Sequence, residues 1–437
     1  MKPLFTPLCC VVLGCFAPSA SADVQVVKET PIPATIRKEL WILSANWSEL
    51  EPPTGAVNVP GRMDTLSPGD RIALALAADG SEREKLFDGC TLDVRIEIDG
   101  TLFEQHGLKP TNIRRLKAEG ADFAIGAIKA AGLAPGDVVR MEQATALTSL
   151  AEFRPAWTAP EVAEATEVRI EARISGGTAV ATVLEAARVK IRPWADWAKD
   201  PAVDRPTIAG YFNRYQDNVP AGYLLPLFKG ASSVGVLQSV PLAEFFVVAF
   251  KRNVAAQKAA LDLLPSLDPT FQYTLLAVLR RGGTDITKYI HLLPAGGQNS
   301  LRSMDRDPDP PAIPDFADPV SVASARELGA TMDQCWGAWM ASGDPVYLRT
   351  LVNLLARAQD YPAFQSWTAT KGGAKGLNGR VLRGLSYQIA GWSIASFERT
   401  DPHAADWLAF WQSDPAVPES IRKEITSLPI NPAFKRQ

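Results

Sequence analysis

Residues 93–99 are Asp-Val-Arg-Ile-Glu-Ile-Asp, and charged and apolar side chains alternate along them without a break. Residues 167–174 repeat the alternation as Glu-Val-Arg-Ile-Glu-Ala-Arg-Ile. Because successive side chains of a strand point to opposite faces, this period of two predicts strands with one solvated and one buried face. Short apolar stretches around residues 71–77, 138–147 and 188–192 predict further strands.

The strand-forming part of the chain extends over residues 34–192, and its short strands between Gly and Pro turns are typical of an antiparallel β-sandwich. Gly176-Gly177 follows the second alternating stretch and predicts a two-residue turn that would pair Ile174 with Ala179. Residues 112–133 depart from the pattern, because their apolar spacing is helical. We therefore expect a helical insertion on the sandwich at that point.

From about residue 206 the apolar period is 3.6, which predicts α-helices with one buried face. Three apolar stripes have this spacing, and we expect each of them to face a core. The first stripe consists of Leu328, Met332, Cys335, Trp336, Trp339 and Met340. The second consists of Tyr347, Leu348, Leu351, Val352, Leu355 and Ala358. The third consists of Leu382, Leu385, Ile389, Trp392 and Ser396.

Asp-Pro pairs precede the predicted helices, at residues 200–201, 268–269, 318–319, 344–345, 401–402 and 414–415. An aspartate carboxylate accepts hydrogen bonds from the free N–H groups of a first turn, and proline fits the first helical position. Residues 297–317 are rich in Pro and Asp, which predicts a solvated linker between helical regions at residues 206–296 and 318–428. The expected fold class is α+β in separate domains, with the β-sandwich followed by α-helical hairpins.

Residues 336–345, Trp-Gly-Ala-Trp-Met-Ala-Ser-Gly-Asp-Pro, end one predicted helix and begin the next, and residues 348–352 continue the second helix. In these residues the helical half resembles the irregular tetratricopeptide- or HEAT-type repeats found in exported bacterial proteins of unassigned function. The resemblance covers about half of the chain. It implies a surface that binds a protein or peptide rather than a particular chemistry.

Residues 1–22 have the order of a secretory signal, with a basic start, an apolar run from Leu4 to Phe16 and small residues up to Ala22. The apolar run is too short to cross a bilayer as a helix. We expect cleavage after Ala22, export to the periplasm or the exterior, and no transmembrane helix in the mature chain. The Val-Leu-Gly before Cys15 also fits a lipoprotein processing site, so a lipid anchor at Cys15 is an alternative.

The composition argues against several classes of function. The formal net charge is −3, and this lack of basic excess argues against a nucleic-acid partner. The three histidines are not at metal-ligand spacings, so no metal site and no cofactor are predicted. Outside the signal only Cys90 and Cys335 remain, and both occupy apolar positions, which predicts buried thiols. No pattern of a nucleophile with its base is present, and no catalytic residue is predicted.

Residues 371–380 combine four glycines with three cations just before a predicted helix. The backbone N–H groups and the charges of Lys371, Lys375 and Arg380 could hold an anion, and a flexible connector is the simpler interpretation. Trp336 and Trp339 share one helix face. Packing between helices explains this pair, and a platform for a ligand is the alternative.

These features predict an exported, non-catalytic binding or scaffold protein that presents a helical-repeat surface to a protein or peptide partner. One alternative is a cell-envelope hydrolase acting on polysaccharide or peptide, which would need converging carboxylates or a nucleophile beside a base. The other is a small-anion receptor that uses the loop of residues 371–380.

Overall fold

The computed structural model describes residues 34–45, 56–57, 62–80, 83–116, 148–177, 182–184, 186–204, 220–233, 237, 239–304, 309–314, 316, 320–372, 376–399, 401–428 and 434. The predicted signal, the predicted strand at residues 138–147 and most of the predicted insertion lie outside these residues. The fold is mixed α+β, with an antiparallel sheet region first and a helical half after it. The chain forms two compact units. The first unit contains all the described strands, the chain as far as Trp197 and residues 220–222. The second unit contains the helices from Tyr223 onward.

The strands of the described residues are β1 (Thr35–Ser44), β2 (Ala56–Val57), β3 (Thr65–Leu66), β4 (Ile72–Asp79), β5 (Cys90–Ile98), β6 (Thr101–Leu108), β7 (Asn112–Leu116), β8 (Thr148–Phe153), β9 (Thr166–Gly176), β10 (Thr182–Val183) and β11 (Ala187–Ile191). One sheet has the order β1-β4-β8-β7-β2, and the other has the order β3-β11-β9-β5-β6 with β10 beside β9. Neighbours are antiparallel except for the pairs β2–β7 and β3–β11.

One hydrophobic cluster contains side chains of both sheets, including Leu74 and Leu76 of β4 with Ile96 of β5 and Ile170 of β9. A second cluster lies on the other face of the first sheet and includes Trp41 of β1. Because β4 is buried on both faces, its sequence is a continuous apolar run, whereas β5 and β9 alternate. The predicted strands at residues 71–77, 93–99, 167–174 and 188–192 are confirmed.

Two details of the sheet region differ from the prediction. Residues 112–116 form β7 and pair with β8, with Ile113 opposite Ala151, so the predicted helix does not begin there. Ile174 pairs with Thr182 instead of Ala179. The predicted register is therefore wrong, because β10 is displaced by three residues along its sequence, from Ala179 to Thr182.

The helices of the described residues are α1 (Trp194–Lys199), α2 (Leu224–Ser233), α3 (Val240–Arg252), α4 (Val254–Leu263), α5 (Pro269–Arg281), α6 (Ala295–Arg302), α7 (Val322–Ser342), α8 (Pro345–Asn353), α9 (Tyr361–Ala369), α10 (Gly379–Glu398), α11 (Pro402–Ser413) and α12 (Glu419–Ser427). A 3₁₀ helix, Leu354–Asp360, joins α8 to α9. None of these helices is both long and apolar enough to cross a membrane.

The first predicted stripe is confirmed, because all of its side chains are buried in α7. The second is buried from Tyr347 to Leu355. The third stripe is wrong beyond Leu382, since the buried face of α10 includes Gly384, Tyr387, Gly391 and Ile394 instead. Glycine allows close packing on this face, because a Cβ at Gly384 would lie 2.4 Å from the carbonyl oxygen of Asp360.

Three of the predicted Asp-Pro starts are confirmed as helix caps. The carboxylates of Asp268, Asp344 and Asp401 accept hydrogen bonds from backbone N–H groups in the first turns of α5, α8 and α11. Asp414 instead begins a turn by accepting from the N–H of Ala416 at 2.9 Å, and α12 starts only at residue 419. Residues 201–204 are not helical, and the pair at 318–319 lies outside the described residues.

The predicted linker differs from a solvated connection. Its first residues belong to α6, which extends to Arg302. Further along, the Asp309 carboxylate accepts hydrogen bonds from Lys251 and from the Tyr347 hydroxyl, and these contacts lower the pKa of Asp309 against the opposing effect of its burial. The Phe316 side chain is buried. The described part of this segment is therefore anchored to the helices on either side of it.

Candidate functional site

A groove of about 390 Å³ lies along one face of α5 in the helical half. The α5 side chains that line it follow helical spacing and are Thr270, Tyr273, Thr274, Ala277, Val278 and Arg281. The other lining residues are Ser232 at the end of α2, Leu237, Ala243 of α3 and Met304. A volume of this size is within the range of small-ligand sites.

The sequence of α5 explains why one face of the helix stays open. Asp268 accepts a hydrogen bond from the N–H of Thr270 at 2.8 Å, and Pro269 occupies the first turn. Leu275, Leu276 and Leu279 are buried and fix the orientation of the helix. The smaller and more polar side chains therefore point to the other side, where they line the groove.

The groove presents both hydroxyl groups and apolar atoms. The Thr274 hydroxyl donates to the carbonyl oxygen of Thr270 at 2.9 Å, and the Tyr273 hydroxyl lies 3.0 Å from that of Ser300. Leu237, Val278 and Met304 supply apolar surface. Such a lining fits a ligand that has both hydrogen-bonding groups and an apolar side chain.

Arg281 forms a largely buried ion pair at one end of the groove. Its guanidinium donates to the Glu244 carboxylate at 2.9 Å, and the exposed fractions of the two side chains are 19% and 3%. Glu244 also lies beside α7, where burial and then the Glu244 charge raise the pKa of the Cys335 thiol to about 12. The charge of Arg281 is therefore held in place by a carboxylate that is itself fixed between helices.

A second polar cluster surrounds Asp360. This largely buried carboxylate accepts hydrogen bonds from the Nε of Arg380 at 3.2 Å and from the Nε of Arg383 at 2.8 Å. The Arg380 side chain is 65% exposed. Lys371 is exposed at the end of α9 with a left-handed φ of 49°, and Lys375 lies outside the described residues. The structure thus brings Arg380 to Asp360 and Arg383, and the contacts described do not join it to Lys371.

Trp336 and Trp339 are buried and do not form part of a binding surface. Trp336 stacks on Phe397 with ring centroids 3.8 Å apart, and Trp339 has an exposed fraction of 0%. The Trp339 Nε1–H donates to Asp401 at 2.6 Å. Because neither ring can touch a ligand without opening the core, the platform interpretation is wrong and the packing interpretation holds.

The remaining chemistry-bearing residues are dispersed. Cys90 and Cys335 are buried, as expected from their apolar positions, and no disulfide joins them. His106 lies near Asp93, with its Nδ1 3.5 Å from the carboxylate. Among the described residues, no three His, Cys, Asp or Glu side chains are grouped as metal ligands would be.

Neither polar site was fully predicted from the sequence. The α5 face has a spacing that could have indicated it, because Thr270, Thr274, Ala277 and Arg281 form a stripe of small and polar side chains opposite the leucines. Arg383 and its contact with Asp360 carry no such signal, since the two residues come from different helical segments.

Comparison of the chain with protein family models, with curated proteins and with solved structures finds no match.

Proposed function

We propose that the protein is an exported, non-catalytic binding protein that holds an extended peptide segment of a partner protein in the α5 groove. The groove carries this proposal, because its described lining combines apolar side chains with hydroxyl groups and a fixed guanidinium. Hydroxyl groups and a guanidinium can hydrogen-bond peptide carbonyl groups, and the apolar surface accommodates a side chain. The proposal includes the finer fold expected from the sequence, a β-sandwich followed by helical-repeat hairpins, and residence in the periplasm or outside the cell.

Filling the groove tests the proposal. Peptides are selected from a displayed random library against the purified chain, and each is measured against the variant Ala277→Trp. Ala277 is partly exposed in the groove, so the indole should occupy the space of the peptide without entering the core. The matched control is Ala409→Trp, at an exposed position of α11.

We expect selected peptides to lose binding to Ala277→Trp and to keep it to Ala409→Trp. Circular dichroism of both variants checks that the fold is retained. If the library yields no binder, or if the selected peptides bind both variants equally, the groove is not the site of peptide binding.

A second candidate function is anion binding near Arg380. Two guanidinium groups surround one carboxylate at Asp360, which leaves an excess of positive charge next to the exposed Arg380. Calorimetry with inorganic phosphate tests this candidate. We expect binding that weakens in Arg380→Gln, and an absence of heat with the parent chain would exclude it.

A further inference from the structure

β6 forms one end of the second sheet among the described strands. Its side chains face solvent in part, with Leu102 44% exposed and the His106 side chain 72% exposed. Natural edge strands are often protected by lysine, proline or an irregularity. β6 has no lysine or proline, and its irregularity lies at the far end, where Gly107 has a φ of 67° and the register with β5 shifts.

The turn before β6 determines which backbone groups face the open edge. Asp99 and Gly100 have φ values of 46° and 75° and form a two-residue turn that joins β5 to β6. In such a hairpin the flanking residues Ile98 and Thr101 are a hydrogen-bonded pair. Alternate residues after Thr101 therefore also bond to β5, while Leu102, Glu104 and His106 direct their N–H and C=O groups outward.

The charges on the outer face of this sheet form rows of alternating sign. Arg95 of β5 lies opposite Glu104 of β6 and also opposite Glu171 of β9. In the next row Asp93 lies opposite Arg173, and its carboxylate is 3.5 Å from the His106 ring. One row thus ends at the edge on a carboxylate, and the other ends on an imidazole.

We propose that a second copy of this chain pairs antiparallel with β6, with Gln105 on the two-fold axis. Glu104 of one protomer then faces His106 of its partner, and both residues contribute outward backbone groups to the pairing. The row that ends on Glu104 then meets, across the axis, the partner's row that ends on His106. Paired side chains must lie on the same face of the sheet, so the two-fold axis has to pass through a residue of β6. An axis at Glu104 would place the Glu104 carboxylates of the two copies opposite each other, which is unfavourable. This inference is independent of the proposed peptide groove.

Charge variants in analytical ultracentrifugation test the pairing. The parent chain should show a monomer–dimer equilibrium that depends on protein concentration. His106→Glu places like charges opposite each other at two symmetry-related positions and should weaken the dimer about tenfold. The double variant Glu104→Gln/His106→Glu removes that repulsion, without placing a cation opposite Arg95, and should recover the dimer. A chain that stays monomeric at all concentrations overturns the proposal, as does a dimer that these variants leave unchanged.

A cysteine at the axis tests the register directly. Gln105 would face Gln105 of the partner in a non-hydrogen-bonded pair, a geometry within reach of a disulfide. Gln105→Cys should form a covalent dimer on oxidation, whereas Thr101→Cys, on the same face but far from the axis, should not. Cys90 and Cys335 are buried and do not compete. A disulfide in both variants or in neither, or capture of another protein on β6 of a monomeric chain, would show that the second copy is not the occupant.

Discussion

At the scale of single residues, Asp70 of the sheet region is a carboxylate whose surroundings raise its pKa. Its Oδ2 accepts a hydrogen bond from the N–H of Ser67 at 2.7 Å, and its Oδ1 lies 3.4 Å from the N–H of Ala221. Ser67 in turn accepts from the N–H of Gly222 at 2.7 Å. Burial raises the pKa of Asp70 to about 6, although the hydrogen bonds from Ser67 and Ala221 act in the opposite direction.

This raised pKa predicts a pH-dependent stability. The folded chain binds a proton at Asp70 more tightly than the unfolded chain does, so the contribution is fully present below about pH 4 and is lost as the pH rises through about 6. In Asp70→Asn that dependence disappears, since the amide is neutral and its oxygen can still accept from Ser67. Between pH 5 and pH 7.5 the free energy of unfolding of the variant should therefore rise relative to that of the parent, by about 1 kcal/mol.

Urea denaturation at both pH values measures this difference, and the comparison with the parent cancels the other titrating groups. Asp64→Asn is the control, because Asp64 is exposed. A difference between Asp70→Asn and the parent that stays constant with pH would contradict the prediction.

The burial of single residues was easier to predict than their polar partners. Strand alternation predicts a core position for Cys90 and helix spacing predicts one for Trp339, and both side chains are buried. Burial follows from period, which a sequence displays directly. The bond from Trp339 to Asp401 joins residues far apart in the chain, and Asp401 by itself predicts only a cap. Partners of this kind depend on tertiary packing, which no local pattern encodes.

At the scale of elements, the Asp-Pro starts differ in what their carboxylates hold. Asp268 is exposed and caps α5 through one N–H group. Asp401 is buried, caps α11 through the N–H groups of His403 and Ala404, and also accepts from the Trp339 indole. Asp414 holds a turn and does not begin a helix. The same Asp-Pro dipeptide therefore has three structural roles: an exposed helix cap, a buried helix cap that also binds an indole, and a turn.

Replacing each of these aspartates by alanine should give graded losses in the free energy of unfolding. Asp268→Ala should lose about 1 kcal/mol, the usual cost of an exposed cap. Asp401→Ala should lose about 2–3 kcal/mol, because it also leaves a buried indole N–H without its acceptor. Asp414→Ala should lose less than about 0.5 kcal/mol, as for an ordinary surface change. Guanidinium denaturation followed by circular dichroism measures all three, and equal losses would show that the cap geometry is not what distinguishes them.

Element type was predictable wherever the side-chain period was strong, and element boundaries and faces were not. The alternation of β5 and β9 predicts strands that the structure contains, whereas the helical spacing from residue 112 onward predicts a helix where the structure has β7. In α10 the prediction followed the large side chains, but the buried face is built around Gly384 and Gly391. A glycine carries no hydrophobic signal, so a face that depends on close backbone approach escapes a search for apolar periodicity.

At the scale of the molecule, the proline- and aspartate-rich segment suggested two separate helical regions, and the helices on its two sides pack together instead. α3 precedes the segment and α7 follows it, yet Gly337 of α7 lies directly against α3. A Cβ at Gly337 would be 2.1 Å from the carbonyl oxygen of Pro241. Arg252 at the end of α3 also pairs with Asp344 at 2.6 Å. Local composition indicates a break in secondary structure. It contains no information on tertiary packing, so it does not predict that α3 and α7, on the two sides of the break, pack together.

This packing reverses the usual effect of replacing a helical glycine. Gly329 and Gly337 both lie in α7, and alanine has the higher helix propensity at either position. A Cβ at Gly329 meets nothing within 4 Å, so Gly329→Ala should raise the free energy of unfolding by about 0.5–1 kcal/mol. In Gly337→Ala the new methyl group would collide with the backbone of α3. This collision should lower the free energy of unfolding by more than about 2 kcal/mol. Thermal unfolding of both variants decides the point: if Gly337→Ala is as stable as Gly329→Ala, α3 and α7 do not form the common core of the helical half.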